Sequence, residues 1–105
     1  MNKTAQTKQN ILTILAEKDI EMKALGVRKL GLFGSFARDE QTPESDIDLL
    51  VEFEPGQKTF DNFMQLVFLL EDSLERSVEL VTSESLSPYL RPYIINEVEY
   101  VPLAA

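Results

Sequence analysis

The chain has 105 residues, enough for one domain with a modest core and too few for a catalytic domain plus a separate substrate-recognition domain. It contains neither cysteine nor histidine, which excludes disulfides, thiolate or imidazole zinc sites, Ser-His-Asp triads and histidine general bases. The 18 acidic residues outnumber the 10 basic ones and give a net charge of −8, so direct nucleic-acid binding through a cationic surface is not expected. That balance suits a solubilising surface, a nucleotide carried in by a metal, or a basic protein partner. No apolar run approaches the ~20 residues of a membrane span. The opening Met1-Asn2-Lys3-Thr4 runs into polar residues rather than a secretory signal, so the expected location is cytoplasmic.

Ile11, Leu12, Leu15 and Ala16 recur at helical spacing, and Ile20 and Leu25 extend the stripe, predicting a helix over 4–25 that stops at Gly26. A short strand over 27–33 follows and ends at Gly34. A short helix is then expected from about Ser35, running into the polar loop 39–44. The second strand spans 46–53, and Glu54-Pro55-Gly56-Gln57 marks its exit turn. Thr59 is placed to cap the next helix, with Asp61 in its first turn. Phe60, Phe63, Met64, Val67, Leu70 and Leu74 give that helix a wide apolar face.

A third strand covers 77–82. Residues 86–96 read as helical, with Pro88 in the first turn and a break near Pro92. Residues 98–101 read as a last short strand, and Ala104-Ala105 as a frayed end. The order α-β-α-β-α-β-α predicts a single α/β (α+β) domain over 1–105, with a small mixed sheet flanked by helices. Its short edge strands permit, without requiring, homo- or hetero-oligomers.

Two features stand out. Gly34-Ser35 sits where a strand turns into a helix, and glycine there lets a ligand approach the backbone while helix-start N–H groups favour phosphate oxygens. Alone, the pair would read as an ordinary turn with a serine cap. Downstream, Asp46 and Asp48 are spaced i, i+2 in an apolar run, so on a strand they share one face while Ile47, Leu49 and Val51 face the core. Aspartate is depleted in strands and paired like charges repel, unless a cation bridges them. Mg²⁺ takes such oxygen ligands together with substrate phosphates. Arg38 lies one helical turn past Gly34. It can return to the same site as a phosphate ligand, or pair with Asp39, Glu40 or Glu44. Ser45 is placed to orient the strand entry, through a hydrogen bond to the backbone of the aspartate pair.

Gly34-Ser35, Arg38 and Ser45-Asp46-Ile47-Asp48-Leu49-Leu50-Val51 together resemble the signature of the nucleotidyltransferase superfamily that includes DNA polymerase beta. The whole chain resembles its minimal members, the antitoxins of HEPN toxin pairs. The resemblance implies Mg²⁺-dependent transfer of AMP from ATP to a hydroxyl, with a tyrosine on a HEPN ribonuclease toxin as acceptor. It implies that Gly34 and Ser35 hold the terminal phosphates, that Arg38 has a phosphate or local structural role, and that Asp46 and Asp48 hold metal. The family's third carboxylate, usually aspartate, corresponds here to Glu79, one methylene longer. That departure keeps open a non-catalytic antitoxin that neutralises by complex formation. Transfer to a small molecule fits less well, because the chain has no room for an acceptor pocket.

Overall fold

The computed structural model describes residues 7–103. The helix expected over 4–25 is two helices, α1 (Lys8–Ala16) and α2 (Asp19–Ala24). Thr7 caps α1 by accepting from the Asn10 N–H at 3.1 Å. The backbone breaks at Glu17–Lys18, and the apolar stripe resumes in register with Met22 instead of Ile20. Met22 is fully buried, whereas Ile20 is 78% exposed. Residues 4–6 of that expectation, and the expected fraying at 104–105, lie outside the described residues.

Strand β1 (Val27–Phe33) matches the reading, and β2 (Ile47–Phe53) starts one residue after it, leaving Asp46 at its threshold. Helix α3 (Phe60–Leu74) has the predicted Thr59 cap, whose hydroxyl accepts from Asn62 N–H at 3.1 Å. Strand β3 spans Val78–Thr82, a single 3-10 turn covers Ser83–Ser85, α4 spans Arg91–Glu97 and β4 Glu99–Tyr100. The expected helix from 86 begins only at Arg91. Residues 87–90 form a turn in which the Ser87 hydroxyl accepts from Tyr89 N–H. Pro92 then falls in the first turn of α4, where its missing N–H costs nothing. No helix forms at Ser35. Arg38 N–H reaches the Gly34 and Ser35 carbonyls and Glu40 N–H the Ser35 carbonyl, but Asp39 at φ +57° ends the turn there.

The sheet order is β3-β2-β1-β4, with β2–β3 parallel and the other pairs antiparallel, so it is mixed as expected. Helix α3 is the crossover that joins the parallel pair. Leu30, Leu32, Ile47, Leu49, Val51 and Leu80 face one way, into a core with Ile11, Leu15, Met22, Leu66, Leu70 and Leu74 from the helices. Alternate residues of the same strands face the other way, and on that face lie Gly31, Asp48 and Leu50. Val98 covers Gly31 so closely that a side chain there would collide with it. The described helices include none long and apolar enough to cross a membrane.

Candidate active site

The ladder register builds the site. Phe33, the last residue of β1, lies opposite Asp48 on one side, and Glu79 of β3 lies opposite Asp48 on the other. The chain leaves β1 through Gly34 at φ +79°, and a Cβ there would overlap the Asp48 carboxylate. Glycine is required for both reasons, the backbone angle and the close approach. Phe36, fully buried, pins the turn into the core. The Arg76 guanidinium lies over the Phe36 ring at 5.1 Å and donates to the Ser45 and Pro43 carbonyls at 2.9 and 3.2 Å. One arginine thus ties the start of β2 to the Gly34 turn. Its position after α3 gave no sequence signal, because the contact is with a loop over 30 residues earlier.

Asp46, Asp48 and Glu79 lie at one end of the sheet, near enough for the charges of Asp46 and Glu79 to act on Asp48. Asp48 is half-buried, whereas Asp46 and Glu79 are exposed. Burial, then the charges of Glu79 and Asp46, push the Asp48 carboxyl up from the ordinary 3.8 to about 6; Arg38 opposes this and Glu97 adds to it. Ser45 behaves differently from expectation. Its hydroxyl accepts from Thr42 N–H at 2.8 Å and bonds to the Thr42 hydroxyl at 3.3 Å, closing the loop before β2 rather than bracing the aspartate backbone.

Arg38 does return toward the Gly34 turn. Its Nε donates to Glu40 at 3.1 Å, one of the pairings the sequence allowed, and its Nη1 donates to both oxygens of Glu97 at 3.2 Å. Glu97, at the end of α4, also accepts from the Gly34 N–H at 2.7 Å. Sequence reasoning missed Glu97, which lies 63 residues from Gly34 and carries no motif.

The residues present suit a hard divalent cation. The donor set is oxygen only, from carboxylates on adjacent positions of a rigid sheet, and the repulsion felt by Asp48 is the strain that a cation relieves. Among the described residues no three acidic groups already converge tightly enough to enclose an ion. Two of the three are exposed, and without a bridging charge like carboxylates stay apart.

Four similarities bear on this arrangement. Protein adenylyltransferase MntA of Thermococcus cleftensis is 37% identical over 98 residues, spanning 93% of this chain and 96% of that one. A solved structure described, in provisional terms, as a minimal nucleotidyltransferase superposes with a TM-score of 0.74 at 33% identity, over 93% of this chain and 97% of that chain. At 19% identity, the fold alone is shared with a structure of a tri-AMPylated Shewanella oneidensis HEPN toxin in complex with MNT antitoxin. There the TM-score is 0.62, over 93% of this chain and 74% of that chain. The family model for the nucleotidyltransferase domain matches residues 9–101, which include the glycine-serine turn and all three carboxylates, and the chain belongs to that family of nucleotidyltransferases.

Proposed function

We propose that this nucleotidyltransferase moves AMP from ATP to a tyrosine hydroxyl of a HEPN toxin and acts as that toxin's antitoxin. The single observation that supports it most is the register Phe33–Asp48–Glu79, which sets two carboxylates side by side on the sheet next to the Gly34 turn. The likeness to a protein adenylyltransferase over nearly its whole length supports a protein acceptor.

In this reading the Gly34 N–H, the Ser35 hydroxyl and the Arg38 guanidinium orient the triphosphate. Asp46, Asp48 and Glu79 would hold Mg²⁺, which supplies charge neutralisation for phosphates and leaving group when bound. The acceptor oxygen bonds to the α-phosphorus, the bond to the β-phosphate oxygen breaks, and pyrophosphate leaves. Glu79, exposed and across from Asp48, would take the hydroxyl proton. The cytoplasm is the expected setting.

The test mixes the chain with the HEPN protein encoded beside it, ATP and Mg²⁺, and reads the intact mass of that protein. An added AMP mass, absent when Asp46 and Asp48 are both alanine, supports transfer. A second reading, neutralisation by complex formation alone, draws on Glu79 standing where the family has aspartate, since ~1 Å of misplacement can cost ~100-fold in rate. A tight complex with unchanged toxin mass, and neutralisation that survives Asp46→Ala with Asp48→Ala, would select it.

A further inference from the structure

The Gly34 turn and Arg38 already hold an anion supplied by the chain itself. Oε2 of Glu97 accepts from the Gly34 N–H at 2.7 Å, and Arg38 Nη1 bridges both Glu97 oxygens at 3.2 Å. These are the same donors assigned to the nucleotide's phosphates above, and the inference rests on that assignment. Gly34 has one N–H to give, so a carboxylate and a phosphate oxygen compete for it.

Two further observations bear on why Glu97 is there. It is the last residue of α4, where the helix dipole disfavours an acid, so its placement does not serve the helix. In addition, α4 buries none of its residues; Tyr93 and Ile95 are exposed, as are Tyr89 and Leu90 just before it. Little apolar burial holds α4 itself, while Val98 just after it packs on Gly31 and β4 pairs with β1, so the freedom left to Glu97 is that of its side chain.

We propose that Glu97 is an anionic latch, occupying the phosphate subsite at Gly34 and Arg38 in the nucleotide-free chain and swinging its side chain aside when a triphosphate is seated. The closed latch lowers apparent nucleotide affinity in proportion to the fraction of open molecules. A triphosphate, more highly charged than one carboxylate, displaces it; a ligand without phosphates does not.

The experiment is calorimetric titration of wild type, Glu97→Gln and Glu97→Ala with Mg²⁺ and AMP-PNP, and with adenosine as the phosphate-free control. The Gly34 amide resonance of the nucleotide-free proteins is recorded alongside. Removing the charge is expected to tighten AMP-PNP binding about 3–10-fold, with alanine at least equal to glutamine. Adenosine binding should stay unchanged and the Gly34 amide should shift. AMP-PNP affinity that is unchanged or weaker in both variants overturns the latch while leaving the phosphate cradle standing. If none of the three proteins binds AMP-PNP although the Gly34 amide still moves, the cradle assignment itself fails and takes the latch with it.

Discussion

Asp48 offers the sharpest test of the site, because the structure makes it a liability to the fold. Its carboxyl is pushed from 3.8 to about 6, first by burial and then by Glu79 and Asp46. A shift of that size corresponds to at most ~3 kcal/mol between protonation states. Asp48 is only half-buried, so solvent screening reduces the expected penalty to about 1–2 kcal/mol. The sign follows from linkage. The folded state binds this proton more tightly than the unfolded chain, so the penalty is fully present above pH 6. It fades as the pH falls from about 6 towards 3.8. Asp48→Asn keeps the shape and removes the charge. Without metal, it should therefore melt about 5–10 °C higher than wild type at pH 7.5, and within a degree or two of it near pH 4. Comparing the two proteins at each pH cancels the other carboxylates. Mg²⁺ should raise the melting temperature of wild type and leave the variant's unchanged, and the variant should lose nucleotide transfer. A variant that melts lower at pH 7.5, or whose advantage is the same at both pH values, would refute the account of a repelled, half-buried carboxylate.

Other expectations follow from neighbouring features. Gly34→Ala combines a positive φ with overlap on Asp48 and should cost about 2–4 kcal/mol in denaturant unfolding, with nucleotide binding lost. Glu79→Asp restores the usual family residue at an exposed position, so transfer should be preserved or raised and folding unaffected; an unfolded variant would make Glu79 structural. Glu75, which ends α3 at φ +54°, holds a backbone angle better suited to glycine, and Glu75→Gly should stabilise by about 0.5–1 kcal/mol in thermal melts. Leu70→Ala, at a fully buried position of α3, should cost about 2–5 kcal/mol.

The local grammar of the chain carried the fold. The bounds of α3 were readable because Thr59 caps it and its apolar positions keep a 3.6 period over 15 residues. β1 was readable between two glycines, and β2 because Ile47, Leu49 and Val51 keep a two-residue period beside Asp48 and Glu52. Where local signals were weak, tertiary context decided. The stripe through 4–25 did not show the break at Glu17–Lys18. The residues after Ser35 could have formed a helix, but a left-handed Asp39 halts them after one turn.

The spacing of Asp46 and Asp48 and the Gly34-Ser35 turn are matters of sequence, because residue type and strand periodicity act over a few positions; Glu79 entered only through the family resemblance. Only the folded chain decides that Asp48 sits between Phe33 and Glu79, that Arg76 ties the turn to the start of β2, and that Glu97 closes on Gly34 and Arg38. These contacts join residues from 15 to 63 positions apart. Such pairings depend on strand register and helix docking, which no local pattern encodes.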